Sequence, residues 1–214
     1  MPSYPKRTLK KHNNRAELAQ AAVHLFATNG YEKTKLSDVA NYVGLHVQTL
    51  YRHFKCKEEL AIEAANSVLK RFEEFFESAS SHQSPFNIWR AFVEHAHSEL
   101  GHLGWQAKRA QLRSVSSKMD DTFILVVRSG YEDILTDHLA KYYQLDKKTD
   151  RLPRLAASFL VAADEAGLKR CAGLDTELDV LDDKDAVLRE ALGIIDEITD
   201  LFDQITVKQN LREY

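Results

Sequence analysis

Apolar residues recur along this chain at intervals of three and four, the period of an α-helix, and nowhere do they alternate with period two for long enough to mark a strand. The first regular segment opens at Asn14. Its side-chain oxygen can accept from the free N–H groups of a first turn, and Glu17 follows three residues later, a start that resembles a capping box. Ala16, Leu18, Ala19, Ala22, Val23, Leu25 and Phe26 then hold one face, and Asn29-Gly30 supplies a left-handed stop. Thr34 is expected to cap a short second helix over 35–43, with Leu36, Val39, Ala40 and Val43 on one side. Gly44 permits a tight turn, and a third helix over 47–54 buries Leu50 and Phe54. Two short helices joined by a glycine turn predict a helix-turn-helix.

Beyond residue 57 the same period predicts helices over 57–78, 85–100, 120–144 and 151–171, a final helix running on from Val187, and a less regular piece over 105–117. The fold class expected is all-α, with about nine helices. In the last two helices the apolar positions step by 4 and 3: Leu152, Ala156, Phe159, Ala163, Ala166, and then Val187, Ala191, Ile194, Ile198, Leu201, Ile205. Such seams favour shallow crossings, as in four-helix bundles. They either close the core of one chain or join two copies. The second reading puts Ala156, Phe159, Leu160, Ala163, Ile194, Ile198, Leu201, Phe202 and Ile205 in a dimer interface.

Eight Gly and four Pro in 214 residues exclude a Gly-rich all-β architecture, and 44% hydrophobic residues argue against disorder. The longest strongly apolar run, 123–127, is far short of the roughly 20 residues that span a bilayer, so no membrane partner is expected. Cys56 and Cys171 cannot build a disulfide framework or a paired-cysteine zinc site, which points to the cytoplasm. The net charge of −3 divides unevenly: residues 1–60 carry +5 and residues 61–214 carry −8. A basic head suits a polyanion, because neutralising phosphates supplies the sequence-independent part of nucleic-acid affinity. The chain accordingly divides into a flexible basic arm over 1–13, a head over 14–60 and a body over 61–214.

Residues 21–60 combine Leu25-Phe26, Gly30-Tyr31, Thr34, Asp38-Val39-Ala40, Gly44, Thr49-Leu50-Tyr51, Phe54 and Lys57-Glu58-Glu59-Leu60 in one register. In this the stretch resembles the DNA-binding domain of the tetracycline-repressor (TetR) family of bacterial transcription regulators. The resemblance implies a homodimer whose recognition helices enter successive major grooves of a pseudopalindromic operator, and a divergent body that binds a small effector. Carried over position by position, it assigns Thr34, Lys35, Tyr51, His53 and Lys57 to phosphates. His46, Val47, Gln48, Thr49 and Arg52 fall to base edges; the third helix carries no charge except Arg52, which leaves neutral polar groups for reading bases. Tyr51 as partial core and His53 as a mere cap remain open alternatives. Two positions depart from the family pattern. His46 stands where Ser often caps the recognition helix, and Cys56 replaces the usual Ser, Asp or Asn cap. Flanked by Lys55 and Lys57, that thiol offers a redox-responsive alternative.

The body is rich in aromatic residues. Phe72, Trp89, Phe92, Phe123 and Tyr131, with Trp105, Arg109 and Arg113, are expected to frame an apolar effector pocket with a cationic end, suited to a hydrophobic acid or acyl conjugate. A cationic amphiphile met by Asp164 or Glu165 is the opposite reading. His95, Glu99 and His102 share a helix face at metal-like spacing but read more simply as solvated side chains, so no metal and no cofactor is expected. No HExxH, GxSxG, P-loop or GxGxxG motif occurs, and no catalytic residue is assigned. A helical adaptor with a helix-turn-helix that does not bind DNA is the rival to a DNA-binding regulator.

Overall fold

The structure is a computed structural model that describes residues 4–79, 83–99, 121–174, 177 and 179–210. Eight helices are present among them: α1 (Tyr4–Asn29), α2 (Leu36–Tyr42), α3 (Val47–Tyr51), α4 (Lys57–Ser78), α5 (Pro85–Glu99), α6 (Thr122–Tyr143), α7 (Leu152–Cys171) and α8 (Lys184–Asn210). The all-α expectation holds, and the piece expected over 105–117 lies outside the described residues.

The largest departure is at the start. α1 begins at Tyr4 and runs unbroken through Asn14, so the helix starts ten residues before the expected cap and Asn14 caps nothing. Pro5 lies in the first turn, where its missing N–H costs no helical hydrogen bond, and the residues that follow are tolerated in a helix. The stop is as expected: Gly30 takes φ +84° and its N–H donates to Phe26 O at 3.1 Å.

The head packs around Leu18, Ala22, Phe26, Val39, Leu50, Phe54 and Leu60. Its core continues past Leu60 into Ala61, Ala64 and Ala65 of α4, and it takes in Phe123 from the first turn of α6. The Phe26 and Phe123 rings lie 5.5 Å apart. A second core unites the body across α4 to α8, with Phe72 at its centre. The Phe72 ring meets Phe92 at 4.5 Å, Tyr131 at 4.7 Å, Phe76 at 4.9 Å and Trp89 at 5.5 Å.

The seam of α7 is closed mainly within the chain. Ala156, Leu160 and Ala163 are buried against α8, as is Phe202 in return, so these four expected dimer contacts belong to the chain's own core. Gly167 marks the tightest approach, since a Cβ there would stand 3.3 Å from the Ala191 Cα. Phe159 and Leu201 remain exposed, as does Leu155, and Ile194, Ile198 and Ile205 are half-buried. Among the described residues, no helix is long and apolar enough to cross a membrane.

Candidate DNA interface and effector cavity

α2 and α3 are joined by a turn that depends on Gly44, whose φ is +66°. The Gly44 N–H donates to Asn41 O at 3.0 Å and the Leu45 N–H to Ala40 O at 2.9 Å, closing α2 in the left-handed manner that favours glycine. At the head of α2, the Asp38 carboxylate accepts from the Lys35 N–H at 2.9 Å. Lys35, not Thr34, is therefore the cap residue, and its side chain is exposed.

Thr34 is a correction. It is 1% exposed, and its hydroxyl donates to the carbonyls of Leu25 at 3.2 Å and Gly30 at 2.8 Å. The hydroxyl ties down the end of α1 and is turned away from any phosphate. Lys57 is a second correction. Its Nζ donates to Glu32 O at 3.2 Å and lies 4.3 Å from the centre of the Tyr31 ring. Burial pushes its pKa below the ordinary lysine value against the pull of Glu58, Glu32 and Asp121. In this arrangement the ammonium braces the turn between α1 and α2.

α3 is anchored by Leu50 and by Phe54 just beyond it, both 0% exposed. Around them Gln48, Tyr51 and Arg52 are exposed, while Val47, Thr49 and His53 are half-buried. Tyr51 is thus not core. His46 caps the helix: its Nδ1 accepts from the Gln48 N–H at 3.3 Å, in the role a serine oxygen would fill. Cys56 is exposed at the start of α4. A hydrogen bond from the Glu58 backbone N–H, joined by one from the Cys56 thiol, holds the Glu58 carboxyl below its usual range.

Sequence reasoning missed Arg15. Its guanidinium donates to the His53 carbonyl at 2.7 Å, forms a two-point pair with Glu63 at 2.9 and 3.3 Å, and lies 4.4 Å over the Phe54 ring. These partners are 38 and 48 residues away, so no local pattern announces them.

Two adjoining chambers lie where the head meets the body. The larger, about 470 Å³, is bounded by Gln20, Val23, His24, Ala27 and Thr28 of α1, Val68, Arg71 and Phe75 of α4, Phe92, His95 and Ala96 of α5, and Phe123, Val127 and Tyr131 of α6. The smaller, about 200 Å³, is bounded by Phe26, Ala27, Trp89, Phe123, Ile124, Val127, Arg128, Tyr131, Val161 and Asp164. Phe92, Phe123, Tyr131 and Trp89 line these cavities. Phe72 does not; it is the fully buried hub behind them. Trp105, Arg109 and Arg113 lie outside the described residues, as does His102. The cation found at the larger chamber is Arg71.

Burial raises the Tyr131 hydroxyl pKa and Asp164 raises it further, which keeps it a neutral donor. Glu165 is not available to a cationic ligand, because Arg128 and Lys169 pair with it. Burial alone would raise its pKa, but these partners win and hold it down to about 2. Among the described residues, no group of three His, Cys, Asp or Glu side chains is placed to hold a metal ion.

Comparison with known proteins agrees with this geometry. Residues 18–64 match the model of the family described as bacterial regulatory proteins, tetR family. Over 79 residues the chain is 32% identical to the HTH-type transcriptional regulator TcmR of Streptomyces glaucescens, covering 37% of this chain and 35% of that protein. Over 105 residues it is 30% identical to the HTH-type transcriptional repressor KstR2 of Mycolicibacterium smegmatis, covering 45% of this chain and 51% of that one. The chain thus spans between about a third and a half of the length of these curated relatives. The fold resembles that of the transcriptional regulator FadR from Bacillus subtilis, solved in complex with stearoyl-CoA (TM-score 0.52, 21% identity, 83% of this chain and 97% of that one). It also resembles a tetR-family transcriptional regulator from Streptomyces coelicolor (TM-score 0.55, 13% identity, 92% and 89%). The head of the chain, residues 18–64, is thus similar to bacterial regulatory proteins of the tetR family, and the whole chain shares the helical fold of such regulators.

Proposed function

We propose that the protein is a homodimeric transcriptional repressor that binds a pseudopalindromic operator through α2 and α3 and lets go when a small hydrophobic effector fills the chambers between head and body. The observation that carries this reading is Phe123. It is 7% exposed, belongs to the core of the head and borders both chambers. A ligand pressing on Phe123 presses on the core that holds α3. Two recognition helices must stand about 34–36 Å apart to meet successive grooves, so a small shift at this joint lowers operator affinity.

In the head, Gln48, Thr49 and Val47 face base edges with His46 and Arg52 beside them, and Lys35, Tyr51 and His53 face phosphates. Gln48 suits an adenine edge, and Thr49 and Val47 suit a thymine methyl. The partner copy packs on the apolar residues that α7 and α8 leave uncovered, Phe159, Ile194, Ile198, Leu201 and Ile205, joined by Leu155. The repressor direction follows the name of the relative KstR2. A hydrophobic effector accords with the stearoyl-CoA bound by the structural neighbour FadR. A mobility-shift assay on DNA flanking the protein's own gene, across a salt series, tests the reading. Specific, salt-dependent retardation supports it, and a chain that retards no duplex at low salt is the helical adaptor instead.

A further inference from the structure

The effector reading can be carried to a ligand class, because the two chambers differ in chemistry. They share Ala27, Phe123, Val127 and Tyr131, so one elongated molecule can occupy both. The larger falls within the roughly 300–1,000 Å³ of small-molecule sites. Its lining is mostly apolar and holds Arg71, His24 and His95 but no carboxylate among the described residues. An anionic end belongs there.

The smaller chamber asks for something else. Trp89 is 3% exposed, and its Nε1–H finds no hydrogen-bond partner among the described residues. A buried donor left unmade is costly, and a ligand acceptor placed against it recovers that cost. Asp164 borders the same chamber with its carboxylate 3.4 Å from His97 Nε2. Its negative charge disfavours a second anion, so the acceptor for Trp89 has to be neutral. The cation that lines this chamber, Arg128, is already paired with Glu165. A hydroxyl meets both demands, since its lone pair can take the Trp89 N–H while its own proton goes to Asp164.

We propose that the double chamber takes an elongated apolar acid bearing a hydroxyl remote from its carboxylate, with the acid end toward Arg71 and the hydroxyl toward Trp89 and Asp164. This rests on the reading of the chambers as the effector site.

Isothermal titration of the full chain with three probes of one length tests it: ω-hydroxydodecanoate, dodecanoate and dodecylammonium. The hydroxy acid is expected to bind about tenfold tighter than dodecanoate, the worth of one satisfied buried donor. Arg71→Gln should weaken both acids by the same factor. Trp89→Phe should abolish the preference for the hydroxyl while leaving dodecanoate binding in place, and Asp164→Asn, a partly exposed position that does not depend on core packing, should narrow it. The inference is overturned if dodecylammonium binds as tightly as the acids, if the preference survives both substitutions, or if no probe binds. Mobility shifts on the same preparations without probe keep the two readings apart. Operator binding with no probe binding sinks the ligand class alone, whereas probe binding without operator binding sinks the regulator.

Discussion

The guanidinium of Arg15 and the main-chain carbonyl of His53 are 2.7 Å apart, so the end of the recognition segment is tethered to α1 by a single side chain. The same side chain is pinned by Glu63 from α4, so it links α1, α4 and the exit of α3. Arg15→Ala should lower stability by about 1–3 kcal/mol, because it removes a charge-assisted pair and a carbonyl partner together. It should also weaken operator binding. The salt dependence of the remaining binding should not change, since the Arg15 guanidinium is committed to Glu63 and the His53 carbonyl. Arg15→Lys should rescue only part, because an ammonium cannot reproduce the two-point fork. Thermal unfolding and shift assays at several salt concentrations check this, and a reduced salt slope in Arg15→Ala would place Arg15 on the DNA instead.

Base readers and phosphate contacts should separate in the same assays. Gln48→Ala is expected to cost about 1–3 kcal/mol against the preferred operator and to flatten discrimination among operator variants. Lys35→Ala should weaken all duplexes alike and lower the salt slope by about one. Thr34→Val should leave that slope untouched and lower stability instead, because its hydroxyl is committed to Leu25 and Gly30.

Residues of α7 and α8 divide between two fates. Phe159→Glu and Leu201→Glu place charges on uncovered apolar positions and should yield a folded monomer in sedimentation velocity. Ala163→Glu, at a position 3% exposed, should unfold the body rather than dissociate it. Identical behaviour of all three would refute the assignment of the interface.

Two glycines should respond in opposite directions. Gly167→Val drives a branched side chain against the Ala191 backbone and should cost about 1–3 kcal/mol. At Gly193, inside α8, a Cβ meets nothing within 4 Å, so Gly193→Ala should stabilise by up to about 1 kcal/mol. Denaturant midpoints of the two variants settle both.

Glu165 supplies an acid-sensitive contribution. Its pKa of about 2 lies below that of an ordinary carboxyl, so its stabilisation is full above roughly pH 4.5 and is lost as pH falls toward 2. Glu165→Gln should lower stability by about 1–2 kcal/mol at neutral pH, a figure reduced from the full shift because the group is partly solvated. Wild type and variant should converge as the pH approaches 2, which unfolding curves from pH 7 downward would reveal.

The helical period and the glycine stops were legible because they are local: Gly30, Gly44, Leu50 and Phe54 all do what their neighbours in sequence require. Side-chain partners across the fold were not. Thr34 carries a hydroxyl at a helix start whether it faces a phosphate or the carbonyls of Leu25 and Gly30, and only packing decides. Lys57 has the same ambiguity, resolved by the Tyr31 ring. The stepped seam of α7 was read correctly as a packing surface, but a period of 4 and 3 does not say whose helix fills it. Here α8 of the same chain takes Ala156, Leu160 and Ala163 and leaves Phe159 over. Arg71 was missed as a cavity cation because it lies on the charged face of α4, one turn before Phe75, where solvated arginines are common.

The head does not end where its sequence motif ends. Phe123 arrives from α6, and Ala61, Ala64 and Ala65 from α4, to complete a core begun by α1 to α3. A fragment cut at residue 60 would bare an apolar socket, and a chimera that grafts this head onto another body would carry a mismatched plug in place of Phe123. Transferring this head therefore means transplanting a joint as well as a domain: the first turns of α6 have to travel with the helix-turn-helix for the graft to hold its shape.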